Sequence, residues 1–339
     1  MERKYLGYNL LEEIENLLDY ENSENVELKG NAIVLTDGNN EGFIESKVVN
    51  TDSFDKLVCS WVALTDKTKT VEVQVKVRVD GNWSKYLTYG AWGLGRENYY
   101  YDDEDVDVKI YVDEVLIKNS KKADAVQYKV ILRRESADSP ELRNICVMMH
   151  TDRVEYTQPE CYLPSVVEYA VPRLNQNIVP VIGHECCSAT TSAMLLKFHG
   201  FDFKEYDEEF EHRYVASLVA DPGHNNPTFG NWAFNTAVMG AFGLKSYVAR
   251  MAGWEELKYH LAKVGPVGAS IRGDTGVYKT GGHLLVVVGY KEVDGKTFVI
   301  CNDPNINSRF GEGLFVRYEY PLETFMAFWR NVAYVVKKY

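Results

Sequence analysis

Val71-Glu72-Val73-Gln74-Val75-Lys76-Val77-Arg78-Val79 alternates apolar and polar side chains without a break, and Asp80-Gly81-Asn82 follows it as a turn signal. A period of two buries one face of a strand and wets the other, the pattern of antiparallel sheets. The scheme returns at Val106, Val108, Ile110 and Val112, and again at Val126, Tyr128, Val130 and Leu132. Several short strands separated by turns, spread over residues 40 to 150, predict an all-β sandwich of jelly-roll type. The 23 tyrosines and 13% aromatic residues agree with abundant β structure. Ahead of these strands, Leu10, Leu11, Ile14, Leu17 and Leu18 are spaced as on an amphipathic helix, with acids between them. That start lacks the uninterrupted apolar core of a signal peptide, and it leaves cytoplasmic and secreted locations both open.

Residues 151–168 carry Pro159 and Pro164 with little apolar periodicity, which puts a linker there. The 339 residues then divide into an N-terminal sandwich, 1–158, and a second domain, 165–339. In the second domain helical spacing appears at 188–199 and 254–263, while 284–288 and 298–301 are continuous apolar runs suited to strands buried on both faces. That half reads as α+β.

With 45% hydrophobic and 25% charged residues the chain is able to bury a core. A net charge of -12 argues against nucleic acid and against anionic membrane surfaces, because both need clustered Lys and Arg. No apolar stretch approaches a bilayer span. The six cysteines are too few and too scattered for a disulfide scaffold, so reduced thiols are expected, with Cys59 and Cys146 packed as small hydrophobes in strand-like runs.

One thiol stands apart. In Gly183-His184-Glu185-Cys186-Cys187-Ser188-Ala189-Thr190-Thr191-Ser192-Ala193-Met194-Leu195-Leu196 a turn-forming run meets a helix-forming one at Cys187. A cysteine at a helix N-terminus faces unpaired N–H groups and the positive end of the helix dipole, which favour thiolate. Taken alone, the segment also fits a packed cysteine at a helix start. Further residues bear on the choice. Gln176 lies upstream, where its amide would complete an oxyanion hole with the backbone N–H of the nucleophile. His283 follows two glycines and opens the run Leu284-Leu285-Val286-Val287-Val288-Gly289-Tyr290, and Asp303 ends another, with Pro304 behind it. The order Cys, His, Asp suits a papain-like thiol hydrolase.

Gln176, Cys187-Ser188-Ala189-Thr190-Thr191, Gly282-His283 with its apolar run, and Asn302-Asp303-Pro304 together resemble the papain-like C39 peptidases, in particular the C39-like group of bacterial proteins. Phe229-Gly230-Asn231-Trp232-Ala233-Phe234-Asn235-Thr236-Ala237, with Phe242-Gly243-Leu244 after it, resembles a segment common in that group. The resemblance covers residues 165 to 339, and more loosely the sandwich half resembles accessory modules that precede such domains. It implies a papain-like fold, Cys187 as nucleophile, His283 as general base and acid, Asp303 as the orienting residue, and Gln176 as oxyanion donor. A peptide or protein substrate and an acyl-enzyme follow, without metal or organic cofactor. The chain departs from the motif at Ala189, where proline is usual, and at Cys186 beside the nucleophile. Transfer of the acyl group to an amine or thiol, and non-catalytic binding of peptide or carbohydrate, are the rival functions.

Other polar clusters invite blander readings. His184, Cys186, Cys187 and Cys301 lack a Cys-x-x-Cys pair, and adjacent side chains seldom reach one tetrahedral ion, which argues against zinc. A Cys186–Cys187 disulfide strains the peptide between them. His224 reads as a loop histidine, Trp232 as a packing aromatic, Asp102-Asp103-Glu104-Asp105 as a solvated loop, and Gly93-Leu94-Gly95 as a turn.

Overall fold

The computed structural model describes residues 3–5, 8–13, 20–98, 102–152, 154–222 and 228–339. Strands predominate, with five α-helices among the described residues: α1 (Cys187–Phe198), α2 (Glu211–Val219), α3 (Trp232–Ala241), α4 (Trp254–Lys263) and α5 (Leu322–Phe328). The chain forms two compact units, one of Met1–Val154, Ala220–Pro227 and Asn231–Arg250, the other of Glu155–Val219, Thr228–Gly230 and Met251–Tyr339.

In the first unit the alternation is realised as written. Val71, Val73, Val75, Val77 and Val79 are all buried within the strand Lys69–Val79, and Glu72, Gln74, Lys76 and Arg78 on its other face are partly exposed. That strand pairs antiparallel with Ala123–Arg134 on one side, Gln74 opposite Lys129, and with Leu87–Trp92 on the other, Gln74 opposite Thr88. Val49–Leu64 pairs along its later part with Glu141–Thr151 and near its start with Ala123–Arg134. Cys59 and Cys146 sit opposite Val147 and Ser60 in that ladder, fully buried.

Two expectations change in this unit. The helix read from Leu10 to Leu18 is, over Asn9–Glu13, a strand. Leu10 and Leu11 sit opposite Val147 and Cys146, so ladder pairing and burial of Leu10 override the helical spacing. Ile14, Leu17 and Leu18 lie outside the described residues, as does His224. The run from Val106 to Val112 yields only the strand Val108–Tyr111, because the chain turns at Val112 (φ 57°) into Glu114–Ile117, and Val106 is left 82% exposed.

Helix α3 and the strand Lys245–Arg250 also belong to this unit. Asn231 caps α3 through its side chain on the Phe234 N–H, and the buried Asp113 carboxylate accepts from the Trp232 N–H. Ser60 accepts from the Val248 N–H (3.0 Å), and Asn9 both accepts from the Arg250 N–H (2.9 Å) and donates to its carbonyl (2.6 Å).

In the second unit antiparallel strands run in the order Trp329–Lys337, Val267–Asp274, Lys279–Val293, Lys296–Asn302, Arg317–Pro321, with Val166–Glu168 beside Lys279–Val293. A Cβ on Gly289 would lie 1.9 Å from the Val167 carbonyl oxygen, so only glycine lets that short strand close on its neighbour. Helix α1 lies against Val267–Asp274 and Lys279–Val293. It is buried from Ser188 to Leu196, and two of its hydroxyls are served within the core: Ser188 bonds Tyr334 Oη (2.8 Å) and Thr190 donates to the Cys186 carbonyl (2.9 Å).

Candidate active site

Cys187 is the first residue of α1, so its N–H has no carbonyl partner within the helix. Cys186 before it takes φ -92° and ψ 24°, the bridge region common at active sites, and directs the chain from a tight turn into the helix. That turn is closed by N–H bonds from Glu185 and Cys186 to the Ile182 carbonyl (2.9 and 3.1 Å). The paired thiols part company here. Cys186 is fully buried, close to Thr190 Oγ1 and the Gly183 carbonyl, and burial pushes its thiol up to about 11. Cys187 is half-buried. Burial also pushes its thiol up, but the charge of His283 and a hydrogen bond to that ring outweigh it, helped by the Leu284 and Ser188 N–H groups, and leave it below the ordinary thiol value.

His283 stands on Lys279–Val293, opposite Ile271. Its Nε2 meets Asp303 Oδ1 at 2.8 Å, which leaves Nδ1 as the ring nitrogen for Cys187. Burial pulls the imidazole down, but the Asp303 carboxylate and the Cys187 sulfur more than reverse this and raise it well above its ordinary value. The next residues upstream, Gly281 and Gly282, are exposed and have open space where side chains would stand.

Asp303 is fully buried just after Lys296–Asn302. Its second oxygen accepts from Tyr278 Oη (2.7 Å) and Tyr320 Oη (3.0 Å), and Oδ1 also accepts from the Asn305 N–H (2.9 Å). Burial pushes this carboxyl up, but the His283 charge and these donors hold it below the usual carboxylate range.

Gln176 opens a 3-10 turn, Gln176–Ile178, capped by Asn175. Its Nε2 donates to the Gly183 carbonyl (2.7 Å), and its buried Oε1 has no partner among the described residues. A Cβ on Gly183 would meet the Gln176 carbonyl oxygen at 2.5 Å, so glycine is what lets this loop fold back on itself. The same loop is tied to the Asp303 turn: the Gln176 N–H bonds the Pro304 carbonyl (2.9 Å), Asn175 reaches the Ile306 carbonyl (3.1 Å) and Asn177 the Asn305 carbonyl (3.1 Å).

The structure therefore sets Cys187 beside His283 and bonds His283 to Asp303, with Gln176 on an adjoining loop. Residues 168–336 match the model of the Peptidase_C39 like family, and residues 34–150 match that of the Peptidase C39 N-terminal domain. The C-terminal half belongs to the C39-like peptidases. The protein is a cysteine-type peptidase preceded by an N-terminal module of that group.

Comparison with curated proteins finds no match. Among solved structures, the peptidase is similar to procathepsin L 3 of Tenebrio molitor larval midgut at 13% identity and TM-score 0.32, covering 55% of this chain and 73% of that one. Similarity to xylellain, a cysteine protease from Xylella fastidiosa, is at 14% identity and TM-score 0.32, covering 55% and 91%. The C-terminal CBM6 of LamC from Zobellia galactanivorans gives 11% identity and TM-score 0.25, covering 41% and 98%.

Elsewhere in the peptidase, Trp232 packs at the start of α3. The acidic loop is engaged in ion pairs, Asp103 with Lys85 (2.5 Å) and Glu104 with Lys118 (3.1 Å). Among the described residues no three His, Cys, Asp or Glu side chains gather where they would hold a metal. Sequence reading missed Tyr278, Tyr320 and Asn305. Tyr278 lies directly before Lys279-Thr280-Gly281-Gly282-His283, but nothing local says where its hydroxyl points, and Tyr320 comes from a different strand.

Proposed function

We propose that the peptidase cleaves an amide bond of a peptide substrate through an acyl-enzyme, with Cys187 as nucleophile, His283 as general base and acid, Asp303 as orienting carboxylate and Gln176 as oxyanion donor. The observation that carries this is a half-buried thiol at a helix N-terminus, beside an imidazole that a buried carboxylate holds at 2.8 Å from behind. The thiolate sulfur bonds to the acyl carbon, and the carbonyl oxygen takes up the charge. The Cys187 N–H and the Gln176 amide N–H not spent on Gly183 stabilise that oxygen. Collapse breaks the C–N bond as the imidazolium gives its proton to the leaving amine, leaving a thioester and neutral His283. Water then attacks, His283 takes its proton, and the sulfur departs as thiolate, which restores the ion pair. Gly281 and Gly282 beside His283 leave room for an extended chain.

We further propose that residues 1–158 are an accessory β-sandwich of jelly-roll type and residues 165–339 an α+β papain-like domain. Antiparallel pairing throughout supports the sandwich, as does Val49–Leu64, which bonds different strands along its two parts.

A peptide-library digest tests the activity. Cleavage products that disappear with Cys187→Ala, with a burst of product from an activated peptide ester, are expected. Cleavage that persists unchanged in Cys187→Ala would overturn the assignment.

A further inference from the structure

Asp303 is held more elaborately than orienting one imidazole requires. Its Oδ1 is shared by His283 and the Asn305 N–H, and its Oδ2 takes two phenols, from opposite flanks of the sequence motif. Tyr278 reaches it from the hairpin before the His283 strand. There the Tyr278 carbonyl accepts from both the N–H and the hydroxyl of Thr275 (each 2.9 Å), and the Tyr278 N–H returns a bond to that hydroxyl (3.0 Å). The Tyr278 ring also stands edge-on to the His283 ring, 5.8 Å between centroids at 90°. Tyr320 reaches it from Arg317–Pro321, fully buried and packed against Phe328 (5.0 Å).

We propose that Tyr278 and Tyr320 are positioning residues that fix Asp303 as an anion and thereby set the lower pH edge of the Cys187–His283 pair. This rests on the catalytic reading above. A carboxylate buried this deeply is costly unless its lone pairs are satisfied, and donors that bond the charged form hold it charged. Once Asp303 takes a proton it no longer supports the imidazolium, and the thiolate loses its counter-ion. The titratable groups facing Asp303 are His283 and, through it, Cys187, then Tyr278, Tyr320 and the buried thiol of Cys301. The nearby charges are otherwise engaged: Arg317 with Glu168 and Glu319, and Arg309 with Asn305.

The test needs no substrate. Alkylation of Cys187 by iodoacetamide, read by peptide mass spectrometry across pH, is compared in wild type, Tyr278→Phe, Tyr320→Phe, the double variant and Tyr318→Phe. Tyr318 neighbours Tyr320 (4.7 Å between rings) and donates nothing to Asp303, so it controls for packing. The lower edge of reactivity should move up by about one pH unit for each phenol removed, the worth of one hydrogen bond to a charged group. Tyr318→Phe should leave it in place. Tyr278→Phe keeps the half-exposed ring and its fold, so it stands alone if Tyr320→Phe does not fold. An edge that stays put in Tyr278→Phe, with wild-type Cys187 reacting selectively, would overturn the positioning role. Wild-type Cys187 that reacts no faster at pH 6 than the exposed Cys161 would instead overturn the catalytic reading beneath it.

Discussion

Adjacent thiols in the same turn differ in what they face, and that difference supports the proposed choice of Cys187 as nucleophile. Cys186 has lost water and gained only weak neutral partners, whereas Cys187 has the His283 ring beside it, which holds its thiol below the ordinary value. Cys187→Ser should lower kcat/KM by about 10³-fold or more, as loss of a nucleophile does, while Cys186→Ser should be tolerated far better, measured by peptide hydrolysis. Asp303 adds a stability prediction. Its folded-state pKa is depressed, so its contribution is present above the ordinary carboxylate value and fades as pH falls through the lower folded one. Asp303→Ala removes the carboxylate that His283 Nε2 and both phenols share and should cost about 3–5 kcal/mol in denaturant unfolding at neutral pH. Asp303→Asn, which keeps the shape, should cost less stability while still depressing activity. The thiol, the imidazole and the carboxylate were each legible from local sequence, because a helix start, two glycines and an apolar strand are local features. The phenols were not, because a hydroxyl's partner is fixed by which strands meet.

At the scale of elements, the close approach of backbones decides what the motif alone does not state. Gly183 lets the loop before α1 pack onto the Gln176 backbone, and its carbonyl holds the Gln176 amide at 2.7 Å. On the oxyanion role proposed for Gln176, Gly183→Ala should lower kcat more than it raises KM, since that bond would form only in the transition state. Gly289→Ala forces Val166–Glu168 off its neighbour and should cost about 1–3 kcal/mol, seen as a lower melting temperature with little change in the kcat of the surviving fold. Period-two runs declared the strand Lys69–Val79, and helical spacing declared α1 and α4, because strong burial on one face or all round leaves few alternatives. Spacing misled at Leu10 and Leu11. There a free strand edge offered backbone partners that no helical pattern reveals.

Across the whole molecule, the matched peptidase region 168–336 and the compact units do not coincide. Asn231–Arg250 lies inside that region in sequence but packs with the first unit, where Asp113, Ser60 and Asn9 satisfy its backbone. This exchange was invisible in the sequence, since the apolar face of α3 looks the same whatever covers it. A chain of residues 155–339 alone should expose Phe234, which stands edge-on to Trp61, and aggregate, as judged by light scattering, whereas the 339-residue chain stays monodisperse. In the 339-residue chain, the pH profile of Cys187 alkylation in wild type and His283→Ala bears most directly on the proposed thiolate–imidazolium pair. With His283 the reactive form should already be present well below pH 9, and His283→Ala should push its onset toward that of an ordinary thiol. A wild-type profile that matches the variant's, with no reactivity gained at mildly acidic pH, would contradict the pair.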